Sequence, residues 1–189
     1  MLTQQEKREL LGMARDAIAR AVEKGRGAGG GQDFHAPAGS ALAVPSGVFV
    51  TIRVDDELRG CIGYIESSKP LAEVVAEVAV KAALEDPRFP PMDASELALA
   101  TLEVSILSPL RKIGSVEEIK IGTHGLLLET GRKRGLLLPQ VATENGWERE
   151  TFLDNTARKA GLPAKAWRDP AVSIYVFSAE IVNEKELPA

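Results

Sequence analysis

Leu10, Leu11, Ala14, Ala17, Ile18, Ala21 and Val22 recur at the three- and four-residue spacing of one helical face. Thr3 and Glu6 precede them as a capping box, so the pattern predicts an amphipathic helix from about Thr3 that stops at Gly25. The stretch 25–46 is rich in glycine and proline, offers little to bury, and is expected to be a flexible loop. Val48, Val50, Ile52 and Val54 then alternate, the run breaks at Asp55 and Asp56, and a second extended run carries "ELRGCIGYIE"; this is the pattern of a hairpin. Leu71, Val74, Val75, Val78 and Ala82 return to helical spacing, and the prolines of "DPRFPP" end that helix. A short capped turn at 93–96 leads into a strand through Leu102, Val104 and Ile106. "HGLLLETGRKRGLLLPQ" predicts a second hairpin with a basic tip, and "ERETFLDNTARKAGLP" a helix stopped by Gly161 and Pro163. "AVSIYVFSAEIV" reads as one last strand. Hairpins interrupted by helices, with no strand-helix-strand repeat, argue for an α+β fold with antiparallel sheets.

Composition narrows the chemistry. The 189 residues are 44% hydrophobic, enough for a proper core. The balance of 23 basic against 27 acidic residues, net −4, gives no general attraction to nucleic acid or anionic membrane, and a nucleic-acid partner is not expected. One cysteine and two histidines exclude an internal disulfide, the usual zinc-finger spacings and a cysteine-held iron–sulfur cluster, so no metal site is expected; a cofactor is not specified. A polar start and no apolar run near 18 residues set the expectation of a cytoplasmic protein without a membrane span.

The lone Cys61 lies between Gly60 and Gly63, with Arg59 two residues upstream. Residues two apart on a regular strand share a face, so Arg59 is placed to stabilise a thiolate, and the glycines let backbone or ligand come close, as in a bulged strand beside a site. Two readings stay open: a nucleophilic thiol, or a cysteine packed as a small hydrophobe. His124, between Gly122 and Gly125 in "GTHGL", is the candidate base, with a turn histidine bonded to backbone as its alternative. Asp86 and Arg88 are read as a corner-forming ion pair, and Arg88 also as an anion contact. His35 is expected to be solvated. Gln140 and Glu144 suit capping or surface roles, Glu103 a solvated face, and Trp147 and Trp167 core anchors. "GRGAGG" fits a dinucleotide-binding glycine pattern in letters only, since it follows a helix and opens none. The "RKRG" tip is read as a soluble turn.

The order of "GVFVTI", "LRGCIG", "PLAEVVAEVAVKAALEDPRFPPM", "LEVSIL", "GTHGLLL", "LLLPQVATENGW" and "FLDNTARKAGLP" resembles the AMMECR domain family, also called AmmeMemoRadiSam system protein A, over roughly Leu2 to Glu184. The resemblance implies one AMMECR-like domain over 1–189 built of two unequal, intertwined subdomains, the larger containing both termini; the functional expectation adds that "LRGCIG" lines a cleft between them. It implies as partners a Memo-like protein and a radical S-adenosylmethionine (radical SAM) enzyme, and it supplies no reaction. Relatives often carry a second cysteine in the "FLDNTARKAGLP" helix; this chain has Ala157 there, which weakens any scheme needing a partner thiol. Two functions remain. One is an accessory or binding component of a modification pathway. The other is an enzyme that uses Cys61 as nucleophile or covalent holding group on a small acidic substrate, with His124 as base and Arg59, Gly60, Gly63 and Arg88 forming the ligand contacts. The oligomeric state is not specified.

Overall fold

The computed structural model describes residues 1–24, 34, 36 and 39–187. Two compact units divide the chain, Met1–Leu107 with Glu180–Ala189, and Ser108–Ala179.

In the first unit, helix α1 (Gln4–Lys24) starts at the expected box: Thr3 N donates to Glu6 Oε2 at 2.8 Å, and Glu6 N to Thr3 Oγ1 at 3.2 Å. Strands β1 (Gly47–Val54), β2 (Glu57–Tyr64), β3 (Ala100–Leu107) and β8 (Ala179–Asn183) form a sheet ordered β2-β1-β3-β8. Helix α2 (Leu71–Leu84) packs on β1 and β2 and also on α1. It is apolar nearly all round because it is covered on both sides, with Leu71, Val74, Val75, Val78 and Ala82 buried. The short helix α3 (Ala94–Leu99) opens with a full capping box from Asp93 and Glu96. Within the span read as loop, Ala41–Ala43 forms a 3-10 turn that buries Leu42 completely, and Phe34 packs against the core. Residues 25–33 and His35 lie outside the described residues.

The second unit holds β4 (Arg111–Lys112), β5 (Gly125–Thr130), β6 (Lys133–Leu137) and β7 (Ser173–Phe177) in the order β4-β7-β5-β6, with every pairing antiparallel. Helix α5 (Arg149–Lys159) brings Phe152, Leu153 and Ala157 onto Leu126, Leu128 and Val176. Trp167 and Trp147 complete that cluster, and Trp167 Nε1 donates to Asp154 at 2.6 Å. The short helix α4 (Pro139–Glu144), with proline in its first turn, had no periodic signal in the sequence.

The last extended run is two strands in two sheets. It breaks at Ser178, whose carbonyl accepts from Ser108 N at 2.9 Å while Ser178 N donates to Ser108 Oγ at 2.9 Å. The alternating pattern is the same on both sides of the break, so periodicity alone joins them.

Candidate functional site

The β1–β2 hairpin turns through Asp55 and Asp56, both in the left-handed region with φ of 51° and 64°, a two-residue turn that matches strand twist. Its register begins Val54↔Glu57 and Arg53↔Leu58, then shifts to Ile52↔Gly60 and Thr51↔Cys61. Arg59 is the extra residue of a β-bulge. Had the first register continued, Cys61 would stand opposite Val50, on the face that packs against α2. The bulge moves it to the opposite face, beside Thr51.

Cys61 is half-buried there, and Thr51 Oγ1 donates to its Sγ at 3.3 Å. β2 is an edge strand, and the edge at Cys61 is closed by side chains. Cys61 N donates to Asp86 Oδ2 at 2.9 Å, and Arg88 Nη2 donates to Cys61 O at 3.3 Å. Asp86 and Arg88 bind each other twice, at 2.9 and 2.7 Å. The pair therefore occupies one donor and one acceptor that a neighbouring strand would otherwise use. Asp86 is buried. Its carboxyl is held well below the usual carboxylate range, first by Arg88 and then by the Cys61 and Arg88 backbone N–H groups, against the opposing effect of burial.

Arg59 turns to different partners. It binds Glu96 through Nε and Nη2 at 2.6 and 3.0 Å, and this ion pair lowers the Glu96 pKa. Its guanidinium lies 5.8 Å from the centre of the Phe89 ring, and Arg88 lies 5.5 Å from the same ring. Arg59 Nη1 is buried with no hydrogen-bond partner among the described residues. The expectation that Arg59 faces the thiol rested on a regular strand, and the bulge removes that premise. The cation on Cys61 is Arg88, 27 residues away in sequence.

Each motif glycine has a packing cause. A side chain on Gly60 would overlap the Ala82 carbonyl of α2, and one on Gly63 would overlap the Phe49 ring, which fills the space across the strand pair.

His124 belongs to the second unit. Its Nδ1 accepts from Lys120 N at 3.2 Å, so the neutral ring carries its proton on Nε2 and closes a turn. Burial, then the Arg111 and Lys120 charges, lowers its pKa. Arg59, Gly60, Cys61, Gly63 and Arg88 thus share one unit, whereas His124 stands on the other. Glu103 is held by Asn183 Nδ2 at 3.0 Å. Among the described residues, no three His, Cys, Asp or Glu side chains gather to hold a metal ion, and no helix is long and apolar enough to cross a membrane.

A protein-family model described as AMMECR1 matches residues 11–182. The chain belongs to the AMMECR1 family. It is 44% identical over 194 residues to Protein MK0488 of Methanopyrus kandleri, covering 98% of this chain and 91% of that protein. Protein NEQ441 of Nanoarchaeum equitans is 39% identical, with 93% and 98% covered. The crystal structure of uncharacterized protein PH0010 from Pyrococcus horikoshii superposes with a TM-score of 0.87 at 37% identity, over 99% of this chain and 95% of that one. The mixed fold of helices and antiparallel sheet is thus an AMMECR1 fold. In this AMMECR1 chain Ala157 is fully buried in the α5 core, where it packs as an ordinary apolar residue.

Sequence reasoning missed Thr51 as the thiol's neighbour and Asp86 as the edge clamp. The alternation of Val48, Val50 and Ile52 does place Thr51 on the opposite face of the strand. Nothing local places Cys61 opposite it, because the motif glycines admit a bulge without fixing its position. A further missed cluster joins β2 to α2. Tyr64 OH donates to Glu77 Oε1 at 2.6 Å and accepts from Lys81 Nζ at 2.5 Å, and Lys69 Nζ binds Glu77 at 2.8 Å. Lys69, then Tyr64, brings the Glu77 pKa down to about 2.

Proposed function

We propose that this AMMECR1 protein is an accessory binding component of a modification pathway, docking on a Memo-like protein and a radical SAM enzyme, with "LRGCIG" serving as a rigid corner of the docking body. One observation carries the reading: apart from Arg59 Nη1, the charged groups at the motif are bonded to one another. Arg59 is bound to Glu96, and Asp86 to Arg88 and the Cys61 amide. The basic nitrogen of His124 accepts a bond within its own turn. With Asp86 and His124 both bonded elsewhere, neither is free to serve the thiol as a base, which suits a packing group better than a general nucleophile.

The enzyme reading, with Cys61 attacking or holding a small acidic substrate, is favoured by a different observation. The Arg88 side chain is half exposed beside the Cys61 carbonyl, and the Thr51 hydroxyl lies against the thiol. The two readings part in one experiment. Iodoacetamide alkylation of Cys61 is followed from about pH 4 to 10 on wild type and Arg88→Ala, alongside partner binding by Cys61→Ser. A binding component shows the same rate midpoint in both proteins, and Cys61→Ser keeps fold and partner. A midpoint that climbs in Arg88→Ala identifies an activated thiolate and overturns the docking role for this motif.

A further inference from the structure

Charge is segregated along the chain. Residues 108–179 carry 11 lysines and arginines against 8 acidic residues, net +3, while the rest carries 12 against 19, net −7. In the first unit most described cations face a carboxylate: Lys7 and Glu180, Arg15 and Glu184, Arg59 and Glu96, Lys69 and Lys81 with Glu77, Arg88 and Asp86, Lys185 and Asp56. In the second unit a group of cations does not. The β5–β6 tip presents Arg132 and Lys133, and the last turn of α5 presents Arg158 and Lys159, all exposed.

The fold makes these one surface. Gly135 of β6 lies so close to the Lys159–Ala160 backbone that a side chain there would overlap it. Lys133 Nζ also reaches across to the Gly161 carbonyl at 3.0 Å. Arg158 Nη1 donates to the neutral Asn155 Oδ1 at 3.0 Å. None of the four cations has a carboxylate within ion-pair distance among the described residues. They are held by a tight hairpin and a helix end, so binding orders little beyond the side chains.

We infer that this surface, Arg132, Lys133, Arg158 and Lys159, docks a short acidic polypeptide segment of a partner protein. The inference rests on the binding-component reading and names the chemistry of the partner. A short acidic segment fits better than a nucleic acid. A chain whose remaining residues carry net −7 disfavours a long polyanion, and among the described residues none of these cations lies over an aromatic ring.

The test uses the full chain and labelled oligo-glutamate, followed by fluorescence anisotropy. Binding is expected at low salt, weakening steadily as salt rises from about 20 to 200 mM. The double reversal Arg132→Glu/Lys159→Glu is expected to cost about tenfold in affinity at low salt, while Lys112→Glu/Lys120→Glu on the same unit costs less than about twofold. Absence of binding by wild type overturns the inference, and so does equal loss in the two double variants, which marks a net-charge effect. A duplex oligonucleotide that binds more tightly through Arg132 and Lys159 also overturns it, in favour of nucleic acid. Cys61→Ser is expected to bind oligo-glutamate as wild type does. A failure of the surface is therefore distinct from a failure of the motif reading, which shows in alkylation.

Discussion

Both β1–β2 and β5–β6 turn through two residues, Asp55–Asp56 in one and Gly131–Arg132 in the other, and both press a strand glycine against helix backbone. From there they diverge. The β5–β6 register runs unbroken from Thr130↔Lys133 to Leu126↔Leu137, whereas β1–β2 slips by one residue at Arg59. The acidic tip is answered from within: Asp56 pairs with Lys185, and its carbonyl accepts from Arg53. The basic tip keeps its charge facing solvent. The same supersecondary unit therefore serves two ends. One hairpin ties its tip charge to Lys185 of the same unit, and the other leaves Arg132 at its tip exposed with no carboxylate partner among the described residues. The difference lies less in backbone type than in how many side chains find internal partners.

The strand glycine that each hairpin presses against helix backbone is its most sensitive position. Gly60→Ala and Gly135→Ala each force a methyl group into backbone that cannot swing aside, and each is expected to lose roughly 3 kcal/mol or more in urea denaturation. A loss below about 1 kcal/mol at either position would show that the helix there yields. Asp86→Ala comes next. It strands the Cys61 amide and removes the partner of Arg88, and an expected loss of about 3 kcal/mol should be smaller in Asp86→Asn. Because the folded-state pKa of Asp86 is depressed, its ionised form contributes stability that is complete above the unfolded value near 4 and is lost as pH falls through the folded one. Wild type should accordingly lose more stability than Asp86→Asn between about pH 5 and 2, and parallel curves would remove Asp86 from the account.

Arg59→Ala is expected to cost about 2 kcal/mol, because a mostly buried, bidentate guanidinium leaves Glu96 unpaired, and Arg59→Lys should recover only part of it. Its counterpart on the basic tip sharpens the contrast, since Arg132→Ala should change stability by less than about 0.5 kcal/mol. The smallest effect is that of His124. Its pKa is lowered, so the neutral ring is the form that stabilises the fold, and that contribution is present above about pH 6.5 and fades as pH falls below it. An NMR titration of its ring protons should show a midpoint below the free-histidine value, and one above it would contradict the turn geometry.

Much of the scaffold was legible because it is local. The helical faces of α1, α2 and α5, the turn residues of both hairpins and the prolines after α2 each act within a few positions of where they stand. The site was less legible, for three physical reasons. The glycines allow a bulge, but nothing in Leu58-Arg59-Gly60 fixes it at Arg59 or says that Cys61 changes faces. The bonds that close the β2 edge join residues 25 and 27 apart, a pairing only tertiary structure can make. The split at Ser178 hides in continuous alternation, since strands in two sheets follow the same two-residue period. Asp86 and Arg88 were readable as a pair from their spacing, although their hold on Cys61 was not.

Ser108 and Ser178, 70 residues apart and hydrogen-bonded to each other, mark where the chain leaves the first sheet and where it returns. That connectivity fixes an order of events during synthesis. When β3 emerges from the ribosome it has β1 on one side and nothing on the other, and its outer edge must wait through the whole of residues 108–179 for β8. The second unit can close on itself in that interval, with its two ends already tied at the serines. The nascent first sheet is left with an unfinished border, and that interval is when the protein is most open to pairing with the wrong strand.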